Sequence, residues 1–354
     1  MMSITHMSGR IITEVDTEKR SPVTLRMLAE QLNVHVSTVS RVLHAAPDEQ
    51  LRAASEATVK RIKELADELG YRPNPHATSL RTRRSNLVGV LVPRLSDLVL
   101  ATIYEGIDEA AAEHGLSTFV TNTLDVPESQ RSRTEMMLGR RVDGIVFGDS
   151  YIDGTFLDWV TGKGVPFVLV NRRVPGHPSV TCDDRLGGRL AAEHLLELGH
   201  TDVAVIAGEP YASTGIDRTG GFIDRYAQAG ITVRSNRVLQ SHFDAHGGRA
   251  ATEQLLTQGP PPSAIFAVND FAAIGTLGAL RDHGLRAGND VAVIGYNDTP
   301  LAAELPVPLT TIRSPMHDMG RGGLTLLVQL MRGEPVESRL LPPQLIARTS
   351  TTGV

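Results

Sequence analysis

The sequence predicts an α + α/β protein: an N-terminal three-helix helix-turn-helix unit, a short hinge, and a larger body of two doubly wound α/β subdomains. Three observations predict it. Two apolar stripes of helical period stand two residues apart near the N-terminus, and a stretch rich in proline and arginine follows a third. From Leu87 onward, short apolar runs without alternation take turns with helical stretches, the pattern of parallel strands buried on both faces. A chain of 354 residues is long enough for two or three domains with real cores.

The first helix opens at Thr24, whose hydroxyl can accept an orphan N–H of the first turn, and carries Leu25, Leu28, Ala29 and Leu32 on one stripe. Asn33 can close it, because asparagine tolerates the left-handed turn that ends helices. Only Val34 and His35 separate it from VSTVSRVL, so two short helices must cross at a large angle and share one apolar seam. On this second helix Val36, Val39 and Leu43 form the stripe expected to be buried, while Ser37, Thr38 and Arg41 turn the other way. That small, polar, basic face suits a solvated helix. It suits equally a helix that lies in a groove and offers hydroxyls and a guanidinium to base edges. Val59, Ile62, Ala66 and Leu69 give the stripe of a third, buttressing helix, ended by Gly70, Pro73 and Pro75.

Charge is unevenly spread along the chain. Through Arg84 there are 13 Lys+Arg against 10 Asp+Glu, and beyond it 22 against 30. No acid occurs from Tyr71 to Ser85, where Arg72, Arg81, Arg83 and Arg84 lie. A basic end on an acidic body points toward nucleic acid, although a charge run is also what any solvated face shows. In the hinge segment PNPHATSLRT, Asn74 is a good cap, Pro75 suits a first helical position, and Ala77 to Arg81 favour a helix too short to be stable alone.

The stretches TLRMLAEQLNVHVSTVSRVL and ELGYRPNPHATSLRTRRSNLVGVLVP resemble the lactose-repressor and galactose-repressor family of bacterial transcription regulators, from about Val23 to the C-terminus. The resemblance implies a second helix in the major groove, with Val36, Ser37 and Arg41 at bases and Thr24, Thr38 and Ser40 beside them. It also implies a hinge helix that orders on DNA, with Asn74, Ala77, Leu80 and Arg81 at the minor groove and Leu80 as the wedge. It implies a periplasmic-binding-protein-like body with a small-molecule effector in the cleft between subdomains, a homodimer or tetramer, and a pseudo-palindromic double-stranded operator. On this reading residues 1–22 form a flexible tail, 23–72 the helix-turn-helix unit, 73–85 the hinge, and 86–354 the effector-binding and dimerisation domain. Subdomain one spans about 86–182 plus 316–343, and subdomain two about 183–315 plus 344–354. The loop AAPDEQLRAAS after the second helix is a few residues longer than the family usually has.

Within the body, LVGVLVP, STFVTN, GIVFGDS, PFVLVNR, DVAVIAG, AIFAVND and VAVIGYND read as strands, in two similar subdomains that meet near Cys182 and Asp183. Ligands of such sheets lie beyond the carboxyl ends of the strands. Those ends supply Ser96 and Asp97, Gly148, Asn171 and Arg172, Asn269 and Asp270, and Asn297, to which Arg218 and Phe243 add charge and stacking. Each Asn or Asp there could instead cap the next helix. Arg218, between Thr214 and a glycine pair, shows no structural duty in the sequence. Where relatives carry Asn-Pro-Phe-Phe this chain has Ser96-Asp97-Leu98-Val99-Leu100, and Asn297 stands where they often carry Asp. A sugar or sugar derivative is the expected effector, with a nucleoside as the alternative.

Other function classes find little support. There is no GxxxxGK[ST], HExxH or GxSxG, so an enzyme is not expected and no cofactor or metal is implied. His194 and His200 read as surface histidines and Trp159 as core packing. The single cysteine, Cys182, cannot form an internal disulfide and fits a reducing cytoplasm. The charged first twenty residues do not read as a secretory signal, which a solute-binding protein for import would need. No stretch approaches the roughly 20 apolar residues of a membrane helix, so a soluble cytoplasmic protein is expected. Met1, Met2 and Met7 are alternative starts.

Overall fold

In the computed structural model, the described residues are 23–44, 52–72 and 84–353. They fall into two units, divided between Thr82 and Arg83. In the N-terminal unit, α1 (Leu25–Leu32), α2 (Val36–His44) and α3 (Glu56–Glu68) pack around Leu28, Ala29, Val39, Val42, Val59, Ile62 and Ala66. Thr24 caps α1 by accepting the Met27 N–H at 3.3 Å, and Asn33 ends it at φ 52, ψ 47. Ser55 caps α3, accepting from Thr58 N. The tight turn is fixed from the side: His35 Nδ1 accepts the Ser37 N–H and bonds Ser37 Oγ at 2.7 Å, closing the first turn of α2.

The buried stripe of α2 differs from the expected one. Val39 and Val42 are fully buried and Leu43 half-buried, whereas Val36 is 37% exposed. At about 100° per residue, Val39 and Val42 straddle the seam and Val36 falls outside it. The other apolar positions of the unit, from Leu28 to Ala66, sit where their periodicity puts them.

The second unit contains two six-stranded sheets. Its elements run β1 (Leu87–Val92), α4 (Leu98–Glu113), β2 (Ser117–Asn122), α5 (Pro127–Gly139), β3 (Gly144–Phe147), α6 (Thr155–Thr161), β4 (Phe167–Val170), β5 (Ser179–Cys182) and α7 (Asp184–Glu197). They continue through β6 (Val203–Ala207), α8 (Ser213–Gln228), β7 (Val238–Gln240), α9 (Ala245–Thr257), β8 (Ala264–Ala267), α10 (Asp270–Asp282) and β9 (Ala292–Asn297). The last are α11 (Pro300–Glu304), β10 (Thr310–Arg313), α12 (Met316–Met331), β11 (Arg339–Leu341), β12 (Gln344–Ile346) and α13 (Thr349–Thr352). Sheet one has the order β11-β5-β4-β3-β1-β2 and is parallel throughout. Sheet two is β12-β10-β9-β8-β6-β7, parallel except for β12 on β10. The chain leaves sheet one after Cys182, returns between Arg313 and Met316, and leaves again after Leu341.

Three helix pairs flank these sheets at unusually short range, and glycine is the reason. A Cβ on Gly106 of α4 would stand 2.2 Å from the His317 carbonyl oxygen, and one on Gly320 of α12 2.0 Å from that of Ile103. Gly188 and Gly221 do the same for α7 and α8, and Gly248 and Gly275 for α9 and α10. In each pair both helices give up a side chain at the crossing, so backbone meets backbone and dispersion contacts are gained along the rest of the interface. Among the described residues no helix is long and apolar enough to cross a membrane.

Candidate functional site: an exposed polar helix face and a two-lobed cavity

On α2, Val36, Ser37, Ser40 and Arg41 lie within about 140° of arc at 100° per residue, opposite the buried seam. Val36, Ser37 and Arg41 are exposed and Ser40 is half-buried, while Thr38, also half-buried, lies outside this arc. The face offers an apolar contact, two hydroxyls and a guanidinium, the set that reads major-groove edges. Thr24 is exposed at the N-terminus of α1. Asn74, Ala77, Leu80 and Arg81 of the expected hinge lie outside the described residues.

In the body a cavity of about 510 Å3 opens at the carboxyl ends of both sheets. Sheet-one loops contribute Arg94, Ser96, Asp97, Leu124, Asp125, Asn171 and Arg172; sheet-two loops contribute Glu209, Tyr211, Thr214, Arg218, His242, Phe243, Asp244, Asn269, Phe271 and Asn297. Eight of the ten residues expected from the sequence line it. Gly148 does not, being packed against the Leu91 carbonyl. Asp270 does not either: it is fully buried, accepting from Thr299 N at 2.7 Å, Thr299 Oγ1 at 3.0 Å and Thr311 Oγ1 at 2.6 Å. Its carboxylate ties α10 to β10 and to the turn before α11. Burial pushes its pKa up to about 6.

Most strand-end groups serve two purposes at once. Asp97 caps α4 through Val99 N at 2.9 Å, Asp244 caps α9 through Gly247 N at 2.7 Å, and Asn269 caps α10 through Ala272 N at 2.8 Å. Asn269 also donates Nδ2 to the Phe243 carbonyl at 2.9 Å, which fixes the loop that carries the Phe243 ring. Asn171 and Asn297 adopt φ 64 and φ 108, left-handed values that turn the chain sharply at the strand ends.

The arginines are already matched. Arg218 is 3% exposed, and its Nε bonds Asp184 Oδ1 at 2.8 Å while Nη1 donates to the Val268 carbonyl at 2.8 Å. Its guanidinium lies 3.8 Å from the Tyr296 ring centroid. Arg218 therefore has a structural duty invisible in the sequence, because Asp184 lies 34 positions away and starts another helix. Burial raises the pKa of Asp184, and Arg218 opposes that rise. Arg172 is held bidentately by Asp125 at 2.7 and 2.9 Å. Among the described residues two buried donors of the wall, Arg172 Nε and Asn297 Nδ2, have no hydrogen-bond partner. Burial also raises the pKa of Asp97, which the caps and the two arginines oppose.

Sequence reasoning missed Tyr211 and Phe271, which join Phe243 as aromatic wall, and the acidic groups Asp125, Glu209 and Asp244. Phe271, the residue after Asp270, could have been found by reading one residue further into α10; Tyr211 stands four residues beyond β6, in a loop that no pattern marks. His194 is not a surface group: it is buried, with Nε2 bonded to Thr351 Oγ1 at 2.8 Å. Trp159 packs at the edge of the sheet-one core, with Arg131 and Lys163 over its ring.

Residues 24–74 match the model for bacterial regulatory proteins of the lacI family, and residues 192–351 match a periplasmic binding protein-like domain. The HTH-type transcriptional regulator DegA of Bacillus subtilis is 29% identical over 93% of this chain and 98% of its own length. The HTH-type transcriptional repressor PurR of Haemophilus influenzae is 30% identical over 94% and 99%. Among solved structures, the lac repressor dimer bound to operator and the anti-inducer ONPF superposes with a TM-score of 0.85 at 29% identity, covering 94% of this chain and 99% of that one. The transcriptional regulator CelR in complex with cellobiose gives 0.71 at 30%, covering 93% and 99%. Relatives of this kind are regulators and not enzymes, and with a helix-turn-helix head and a periplasmic binding protein-like body in one sequence, the chain belongs to the lacI family of bacterial transcription regulators.

Proposed function

We propose that the chain is a homodimeric repressor whose α2 reads operator bases through Val36, Ser37 and Arg41, and whose cavity takes an uncharged polyhydroxylated effector, a sugar. The observation that carries the effector class is the state of the helix N-termini. Helix N-termini attract phosphates because their orphan N–H groups and dipoles face the anion. Here α4, α9 and α10 are already closed by Asp97, Asp244 and Asn269, whereas α8, which also begins at the wall, has no side-chain cap. Arg172 and Arg218 each have a carboxylate. Among the described residues only Arg94, at the exposed rim, brings a wall guanidinium with no ion pair. A phosphate would meet Asp97, Asp125, Glu209 and Asp244 with little to compensate its desolvation. A hydroxyl both donates and accepts, so it satisfies the carboxylates, while Phe243 and Tyr211 cover an apolar sugar face.

Calorimetric titration of the full chain with matched series tests this: neutral mono- and disaccharides, their phosphate esters, and nucleosides. A neutral sugar should bind at least about tenfold tighter than its ester, a difference of about 1.4 kcal/mol. Tighter binding of the ester, or of a nucleoside alone, overturns the assignment. For the head, operators enriched from random duplexes should be half-site pairs, as a two-fold dimer requires. Arg41→Ala should relax one base position by about 1–3 kcal/mol; unchanged enrichment would refute the role of α2.

A further inference from the structure

Behind the cavity wall the two lobes touch through a second set of residues. Arg173, after β4 in lobe one, donates Nε and Nη2 to the Asp217 carboxylate of α8 in lobe two at 3.0 and 2.9 Å. Its backbone N–H also donates to Ser213 Oγ at 2.8 Å. From the loop after β3, Ile152 N donates to the Tyr211 carbonyl at 3.0 Å, and the Tyr151 ring stacks on the Tyr211 ring with centroids 4.5 Å apart. None of these contacts belongs to the strands by which the chain passes between lobes.

The set is joined to the cavity. Tyr151 donates its hydroxyl to the Asp125 carbonyl, and the Asp125 carboxylate holds Arg172. The Arg172 guanidinium lies 5.6 Å from the Tyr211 ring centroid and 5.9 Å from that of Phe243, both in lobe two. Asp125, Arg172 and Tyr211 line the cavity, whereas Tyr151, Arg173 and Asp217 do not.

We infer that the Arg173–Asp217 pair and the Tyr151–Tyr211 stack form a latch that holds the two lobes of this chain in one arrangement around the cavity. The inference rests on reading the cavity as the effector site. Arg173 is 42% exposed at its side chain and Asp217 11%, so the pair is strong enough to bias an equilibrium and too solvated to fix it permanently. An occupant that bonds Asp125 or Arg172 acts on the latch through Tyr151 and Tyr211, which is the differential contact a population shift requires.

The test needs no ligand. Spin labels on Arg133→Cys of α5 and Gln254→Cys of α9, both exposed sites, report the interlobe distance in the full chain, with labelled protein diluted into unlabelled; Cys182 is buried and its background is measured in the parent. The parent should give one narrow distance population. Asp217→Arg should add a second population and raise the ratio of released to latched molecules about tenfold. Arg173→Asp combined with Asp217→Arg should restore the parent distribution, and Tyr151→Ala should broaden it. Should Asp217→Arg fail to fold, Asp217→Asn replaces it, with the same second population expected. Parent-like distributions in the single variants, or no restoration in the folded double reversal, overturn the latch. A sugar panel without a binder would overturn the effector class and leave these distances as they are, so the two failures are distinguishable.

Discussion

Replacing Arg218 by alanine should destabilise the body by about 4 kcal/mol, the cost of leaving one member of a buried ion pair behind. The side chain lost is 3% exposed and holds Asp184, itself 5% exposed, at 2.8 Å. The Val268 carbonyl and the Tyr296 face lose their cation as well, but these losses overlap with the first and are not added to it. For a domain of this size the loss corresponds to roughly 10 °C in melting temperature. The pH dependence identifies the cause. With Arg218 gone, burial acts on Asp184 with only the Tyr296 hydrogen bond left to oppose it, so its folded pKa lies still further above the unfolded value. A carboxyl shifted in that direction costs nothing below its unfolded pKa of about 4 and costs progressively more as pH rises from there through its folded pKa. The deficit of the variant should therefore be larger at pH 8 than at pH 5, and Asp184→Asn in the same background should recover part of it. Calorimetric melts at the two pH values measure this. A variant melting within about 2 °C of the parent at both would refute the pairing as the main role of Arg218. For the same reason a lost effector response in this variant is interpretable only beside its melt.

Asp270 gives a second pH signature. Its folded pKa of about 6 lies above the ordinary carboxyl value, so its contribution is full below pH about 4 and is lost as pH rises through about 6, a change of roughly 3 kcal/mol. Asp270→Asn, which keeps an acceptor for Thr299, should flatten that part of the stability profile in urea titrations; an unchanged slope would contradict the assignment. Gly320→Ala should destabilise by about 1–3 kcal/mol, because the clash with the Ile103 carbonyl at 2.0 Å outweighs the helix propensity of about 1 kcal/mol that alanine gains. Gly139→Ala, with nothing within 4 Å of the added Cβ, should show the propensity term alone and stabilise. Equal signs for the two would show that packing does not set the Gly320 effect.

Elements with a long apolar signal were legible in the sequence, and those held by tertiary hydrogen bonds were not. Leu87–Val92 and Ala292–Asn297 announce themselves as buried strands, and Leu28, Val59 and Ile62 as a helical core. Ser179–Cys182, Val238–Gln240, Thr310–Arg313, Arg339–Leu341 and Gln344–Ile346 do not, being three or four residues long and rich in Ser, Thr, Arg or Gln. Thr310 is fully buried because its hydroxyl bonds the Arg348 carbonyl and Thr351 Oγ1, partners about forty residues away. The same limit divides the site. The rule of carboxyl ends found Asn171, Asn269 and Asn297, because chain geometry alone puts strand ends at one edge. It could not say that Asp270, one residue after Asn269, turns inward to β10, since that depends on Thr299 and Thr311. Nor could periodicity place Val36, whose stripe is satisfied by Val39 and Val42 without it.

The double use of side chains in the wall has a consequence for regulation. Asp97, Asp244 and Asn269 cannot move toward a ligand without uncapping α4, α9 or α10, and Arg218 cannot without stranding Asp184. On the proposed reading of the cavity, these groups form a preorganised surface that changes little on binding. Arg172 and Asp125 differ, because their neighbours include Tyr211 and Phe243 of the opposite lobe as well as the Tyr151 loop of their own. Asp125 and Arg172 therefore join the cavity wall to the contacts between the lobes. Substitutions among the capping groups should alter effector affinity and fold stability together, whereas substitutions at Tyr151, Arg173 and Asp217, which do not line the cavity, should alter the coupling to DNA while the cavity keeps its preference among ligands.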